Sequence, residues 1–313
     1  MYLARHPCDL PHASLERGSV VTIGAYDGLH LGHQALLAKV REQAGEKDLA
    51  AVVMSFEPTP KEFFGGDSPP ARLMRFREKY EALAEFGLDV FFCPRFSPSM
   101  RGIEALDFVR QILVHGLRAR HVIVGDDFHF ARQRSGNTET LKRAGQVLDF
   151  EVEAISSVIV DGVRVSSTAI RRALAAGECG RAAELLGRPY SMSGRIVRGR
   201  QVGRTLGYPT ANVDLRRRQS AVDGIFAVRV HGLGGRPRNG VASVGTRPTF
   251  GIEKPVLEVH LFDFSEDIYG AYIRVEFVEF IRGVEKFADA EELISQMHRD
   301  ADNARQILAR QAA

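Results

Sequence analysis

Ten consecutive residues, Gly24-Ala-Tyr-Asp27-Gly28-Leu-His30-Leu-Gly32-His33, concentrate the residue types that handle phosphate. An apolar run (19–23) precedes them and an amphipathic run (34–44) follows, which places the segment at a strand-to-helix junction. At such a junction, unpaired N–H groups and the positive helix end attract an anion. Gly24, Gly28 and Gly32 allow close backbone approach. His30 and His33, three apart, share one face of the first helical turn and can donate to phosphoryl oxygens as charge redistributes during transfer. Gly24, Asp27, Gly28 and Gly32 are therefore expected to bind phosphate, with His30 and His33 catalytic. A glycine-rich turn with an incidental His-x-x-His stands as the alternative on spacing alone.

Two further clusters have compatible chemistry. In Val165-Ser166-Ser167-Thr168-Ala-Ile-Arg171, Ser167 and Thr168 offer hydroxyls at a helix start, and Arg171 offers a planar fork one turn on. With the first loop they would form a two-sided clamp on a triphosphate; by themselves they read equally as a helix cap and a solvated charge. The string from Gly199 to Asn212 contains Gly203, Arg204 and Gly207, which could fold around phosphates, then Thr210 and Asn212, oxygen donors suited to a hard cation such as Mg²⁺. It lacks the Gly-Lys-Ser/Thr ending of a P-loop. A hairpin shaped by Pro209 and Asn212 is the plainer reading.

The elements that must carry these residues follow from periodicity. Apolar runs at 19–23, 50–56, 90–93, 121–124 and 152–155 alternate with helical spacing at 34–44, 72–86, 103–115 and 138–148. That alternation predicts a doubly wound, Rossmann-like parallel sheet (fold class α/β), with ligands beyond the strand C-termini. Two short helices are expected at 167–176 and 181–186. From 191 to 280, strand-like runs (225–230, 240–244, 256–262, 273–280) separated by Gly, Pro and Asn predict an antiparallel sheet or small β-barrel. A terminal helix over 289–309 would turn Leu293, Met297 and Ile307 inward. The domain boundary falls near 187, giving residues 1–187 and 188–313.

A length of 313 residues accommodates two domains, and a net charge of +3 is too small to imply nucleic acid or membrane by itself. The arginines at 195–218 have only Tyr208 as a stacking partner, so phosphates or solvent suit them better than single-stranded nucleic acid. Three scattered cysteines and the absence of a long apolar run predict a cytoplasmic protein without disulfides, structural zinc or membrane span.

The order of the motifs resembles one family. His30-Leu-Gly32-His33 resembles the HxGH signature of HIGH-type nucleotidyltransferases, and the longer string resembles GxFDGxHxGH of the bacterial bifunctional riboflavin kinase/FMN adenylyltransferase family, with Tyr26 in place of Phe. Phe56-Glu-Pro58-Thr59-Pro60 resembles FxPHP with Thr59 for His. Val124-Gly-Asp-Asp127-Phe-His-Phe130 resembles VGxDFxFG with Ala131 for the last Gly, and SSTxIR is intact. Downstream, Gly199–Asn212 resembles GRxxGxPTAN, residues 240–250 resemble GVANIGxRPTF with Ser243 for Asn, and residues 257–261 resemble the strand of the catalytic Glu.

The resemblance implies phosphorylation of riboflavin by ATP to FMN, then adenylyl transfer from ATP to FMN giving FAD and pyrophosphate. It implies Mg²⁺ with Thr210 and Asn212, and Pro58 and Asp127 in the flavin and nucleotide pocket. Glu258 becomes the candidate general base, against a solvent-facing role; Glu276 is its weaker rival. Partners would be small molecules only, with a monomer or weak oligomer. An adenylyltransferase for another acceptor, or a flavin-sensing or RNA-binding protein, would require the second or both motif sets to be idle.

Overall fold

Runs rich in Val, Ala and Phe, too short for helices, become strands buried on both faces. The computed structural model describes residues 1–66, 69–199, 207–249 and 252–311. In it the chain divides into two units: Met1–Pro70 with Met74–Val165, and Ala71–Leu73 with Ser166–Ala313.

The first unit contains β1 (Tyr2–Ala4), β2 (Ser19–Ile23), β3 (Ala50–Met54), β4 (Val90–Phe92), β5 (Ala119–Gly125), the short pair β6 (His129–Phe130) and β7 (Gly136–Asn137), β8 (Glu151–Ile155), and the hairpin β9 (Ile159–Val160) with β10 (Val163–Arg164). Six strands form a parallel sheet in the order β1-β4-β3-β2-β5-β8. The order reverses between β2 and β5, and at such a switch point the loops beyond the strand C-termini part to leave a crevice.

Helices α1 (Leu31–Lys47), α2 (Pro60–Phe64), α3 (Phe76–Ala84), α4 (Pro98–Gly102), α5 (Ala105–Asp107) and α6 (Thr138–Leu148) alternate with the strands. Leu36, Leu37 and Val40 of α1 and Leu83 of α3 pack on one face with Val20, Val53 and Phe91. Leu141 of α6 and Phe108, Val109 and Leu113 pack on the other with Val21, Val52 and Val124. The doubly wound sheet expected from periodicity is therefore present.

Two helices depart from their expected bounds. Residues 103–115 do not form one α-helix: Phe108–Gly116 is wound as a π-helix, with Leu117 N–H donating to Ile112 O at 2.8 Å; nothing in the local sequence signals this. The helix expected over 72–86 begins only at Phe76. Within the second unit, Arg171 Nε donates to Ala71 O (2.6 Å) and Arg217 Nη1 to Arg72 O (2.5 Å), occupying carbonyls that an earlier helical turn would use.

The second unit opens with α7 (Ser167–Ala175) and α8 (Cys179–Leu186). It continues as β11 (Ser191–Val197), β12 (Ala211–Asp214), β13 (Gly224–His231), β14 (Arg238–Thr249), β15 (Ile252–Leu261) and β16 (Tyr272–Arg282), then α9 (Ala290–Arg310). The six strands close into an antiparallel barrel, β11-β12-β15-β14-β13-β16. Alternation sends Leu257, Val259 and Leu261 into buried positions and leaves Glu258 and His260 half-buried on the opposite face.

Ala304, Ile307 and Leu308 of α9 pack with Ala227 and Phe262, and Met297 lies against them; Leu293 is half-buried and outside that cluster. Arg282 of β16 grips Asp300 of α9 through Nε–Oδ1 at 2.9 Å and Nη2–Oδ2 at 2.7 Å. Among the described residues, no helix is long and apolar enough to cross a membrane.

Candidate active sites

The loop after β2 is a tightly held turn. Tyr26 (φ 48°), Gly28 (φ 89°) and Leu29 (φ 45°) all adopt the left-handed region, which is unusual for buried side chains as large as Tyr26 and Leu29. Tyr26 is fully buried, its hydroxyl bonded to Thr22 Oγ1 at 2.7 Å. Ala25 O accepts from Lys79 Nζ (2.7 Å) and Ser55 Oγ (3.3 Å), and Asp27 Oδ1 accepts from Met74 N–H (2.9 Å).

This turn delivers His30 as the N-cap of α1, with its Nδ1 accepting from His33 N–H at 3.3 Å. The two imidazoles stack with centroids 3.6 Å apart, and the Tyr26 ring lies 5.0 Å from that of His33. An accepting Nδ1 leaves the proton of a neutral His30 on Nε2, as a donor. Burial, opposed by Asp27 and assisted by Arg164, lowers the His30 pKa to about 4. Burial first, then His30 and Lys79, pushes His33 well below the usual histidine range. Both rings are therefore neutral at physiological pH. Among the described residues, His33 Nδ1 is buried without a hydrogen-bond partner, an atom that a ligand could satisfy.

Elsewhere in the first unit, the two departures from the resembled pattern have defined local geometry. Thr59, where the family has His, caps α2: its hydroxyl accepts from Glu62 N–H (3.4 Å) and donates to Glu62 Oε2 (3.0 Å), with Pro58 immediately before it. Ala131, where the family has Gly, adopts φ 63° and ψ −171°, a region populated almost solely by glycine. Asp127, beyond β5, pairs with Arg164 of β10 at 2.6 Å.

In the second unit, Ser166 rather than Ser167 or Thr168 caps α7, its Oγ accepting from Ala169 N–H at 3.2 Å. Ser167 and Thr168 thus lie inside the first turn, released from the cap role the plainer reading gave them. Arg171 is no simple solvated charge, because its Nε holds Ala71 O.

The barrel assembles a second constellation. Register places Asn212 of β12 directly opposite Glu258 of β15, and Glu258 directly opposite Ser243 of β14. Directly opposed residues project from the same face, so Asn212, Glu258 and Ser243 form a half-buried polar row on the barrel's outer side. A side-chain carbon at Gly199 would overlap the Asn212 amide, so a larger residue there would push that amide aside. Two contacts hold the segment before Thr210: Tyr208 hydroxyl to His298 of α9, and His260 Nδ1 to Pro209 O (2.9 Å).

The oxygen donors of Thr210 and Asn212, with the Glu258 carboxylate opposite Asn212, match the hard-ligand preference of Mg²⁺. Glu276, the rival base, faces Arg229 (3.7 Å) and His231 (3.2 Å) instead. Gly207 is exposed beside Tyr208; Gly203 and Arg204 lie outside the described residues.

Sequence reasoning missed Lys79 and Arg164. A lysine among Phe76, Tyr80 and Leu83 at helical spacing was the signal available for Lys79, since a charge on an apolar stripe needs a buried partner. Arg164 carried no comparable signal.

A family model described as FAD synthetase matches residues 12–169, and one described as riboflavin kinase matches residues 186–308. A bifunctional riboflavin kinase/FMN adenylyltransferase of Escherichia coli K12 is 45% identical over 291 residues, covering 93% of each chain. The protein of that description from Pseudomonas fluorescens is 44% identical over 294 residues, covering 94% of each. The solved structure of a Streptococcus pneumoniae chain described as a macrolide-efflux protein is similar over 97% of this chain and 98% of its own, with TM-score 0.81 and 30% identity.

Proposed function

The chain belongs to the bifunctional riboflavin kinase/FMN adenylyltransferase family, and from that premise we propose how its residues divide the two reactions. It phosphorylates riboflavin with ATP to give FMN, and transfers an adenylyl group from ATP to FMN to give FAD and pyrophosphate. We assign FMN adenylylation to residues 1–187 and riboflavin phosphorylation to 188–313. The different scaffolds of the polar clusters support this: stacked imidazoles lie at the switch point of a parallel sheet, and a carboxylate–amide row lies on a barrel.

In adenylyl transfer, a phosphate oxygen of FMN attacks the α-phosphorus of ATP in line, and the bond to pyrophosphate breaks. No covalent enzyme intermediate is needed; positioning and charge stabilisation suffice. His30 and His33, neutral and held by the strained turn, donate to phosphoryl oxygens. Gly24, Gly28 and Gly32 let the backbone approach, while Asp27 fixes the turn through Met74 N–H. Ser167, Thr168 and Arg171 bind further phosphate oxygens, and Pro58 and Asp127 border the flavin.

In the kinase reaction, Glu258 accepts the proton of the riboflavin 5′-hydroxyl as that oxygen attacks the γ-phosphorus and ADP leaves. A positioned carboxylate contributes about 10²–10⁴ in rate. Thr210 and Asn212 would hold Mg²⁺, which supplies neutralisation of phosphate charge when bound with ATP. Gly203, Arg204 and Gly207 would line the nucleotide's phosphates.

We further propose a cytoplasmic monomer or weak oligomer that acts on small molecules and not on nucleic acid. Several arginines of 195–218 already have protein partners, which supports that reading: Arg195 donates to Gly270 O (2.5 Å), Arg216 to Asp214 (3.0 Å) and Arg217 to Arg72 O.

Incubation with riboflavin, ATP and Mg²⁺, followed by chromatography of the flavins, tests the assignment. FMN and FAD should both accumulate. Failure to make FMN from riboflavin would remove the kinase role, and failure to make FAD from supplied FMN would remove the adenylyl role.

A further inference from the structure

The turn that presents His30 and His33 is conformationally expensive. Its buried Tyr26 and Leu29 both have left-handed backbones, a conformation that persists only where surroundings enforce it. The enforcing contacts come largely from the segment that begins α3. Met74 N–H binds Asp27 Oδ1 at 2.9 Å, and one helical turn later Lys79 Nζ binds Ala25 O at 2.7 Å. The two bonds grip the turn on either side of Tyr26, the residue whose ring packs on His33.

Lys79 is only 2% exposed. Withdrawing an ammonium from water is costly, and a lysine serving α3 alone would be replaced by an apolar residue at less cost. The cost is explained if the charge is needed where it lies, beneath the turn and close enough to His33 to act on it.

We propose that Lys79 is a positioning residue for adenylyl transfer, fixing the Ala25 carbonyl so that His30 and His33 are held at the phosphates and supplying positive charge behind them. This rests on the assignment of the two imidazoles to adenylyl transfer. The charged and titratable groups around the imidazoles are Asp27 and Arg164 for His30, and His30, Lys79 and the Tyr26 phenol for His33. Removing Lys79 removes a positive charge from His33, so its protonation should become easier.

The test compares Lys79→Met, Lys79→Arg and His33→Ala in the full-length enzyme, assaying FAD formation from FMN and FMN formation from riboflavin separately. Misplacement of a catalytic group by about 1 Å can cost about 10²-fold. Lys79→Met should therefore lower kcat for FAD formation about 100-fold, change KM for ATP less than about threefold, and leave FMN formation unaltered. Histidine-labelled NMR titration should show the His33 midpoint rising, which reports that the Lys79 charge reaches that ring; the fall in kcat with KM for ATP nearly unchanged is the response that a purely structural lysine would not give.

If circular dichroism shows that the methionine variant is unfolded, Lys79→Arg decides. Its bulkier head should lower kcat for FAD formation while the His33 midpoint stays low. FAD formation within threefold of wild type in the folded methionine variant, or in the arginine variant when that one decides, overturns the proposal. So does an unmoved His33 midpoint in folded Lys79→Met. FAD formation surviving His33→Ala would instead refute the underlying site assignment.

Discussion

Ala131 occupies a backbone conformation that costs about 1–3 kcal/mol for any residue with a side chain. Glycine would relieve that strain and return part of the gain through greater freedom of the unfolded chain, about 0.4–1 kcal/mol. Ala131→Gly is therefore expected to stabilise the protein by about 1 kcal/mol, read as a higher urea midpoint with unchanged slope. The consequence of the sequence departure is thus energetic. Glu258 carries a different expectation. Glu258→Gln keeps the shape of the polar row and removes only the proton acceptor, so kcat for FMN formation should fall about 10²–10⁴-fold. FAD formation from supplied FMN should be unaffected, and loss of both activities in a folded variant would reject the assignment.

At the scale of elements, α9 depends on a charged grip as well as on its apolar face. Asp300 is 4% exposed and receives Arg282 through two guanidinium nitrogens, with Gln296 adding a third donor at 2.9 Å. Asp300→Ala leaves a largely buried cation without this carboxylate and should cost about 3 kcal/mol. Loss of riboflavin kinase activity in urea should accordingly begin at a lower concentration.

The same scale shows what the sequence could announce. The parallel sheet was legible because Val- and Ala-rich runs alternate with helical spacing, and β13 to β16 because β-branched residues recur between turn formers. β12 was not: its four residues directly follow Pro209 and Thr210 and contain Asn212, which read as a turn, and only pairing with β11 and β15 makes them a strand. Asn212 and Glu258 were each suggested by type and motif, whereas their direct opposition depends on barrel register. Lys79 was hidden for a related reason, since its partner is the carbonyl of a turn more than fifty residues earlier.

For the whole molecule, the buried imidazoles make stability depend on pH. His30 titrates near 4 when folded, below the ordinary histidine value of about 6.5, so the unfolded chain binds more protons in acid. The contribution of the neutral ring is complete above about pH 6.5 and declines as pH falls toward 4. For His30 alone this amounts to about 2 kcal/mol by pH 5. His33, depressed in the same direction, steepens the loss. Urea denaturation at pH 7 and pH 5 should show the decline, and His30→Gln should make it shallower; an equal slope in that variant would argue against the buried neutral ring.

The closed barrel interleaves two kinds of position in one string of residues. Leu257, Val259 and Leu261 face a space that must be filled, while Glu258 between them faces outward in register with Asn212 and Ser243. Selection can therefore act on alternate letters almost independently. Drift at the outward letters alters the polar row without disturbing what holds the strands together, and drift at the inward letters adjusts thermal tolerance without redrawing that row. A lineage built on this scaffold can adapt to a new temperature or a new acceptor along separate mutational routes.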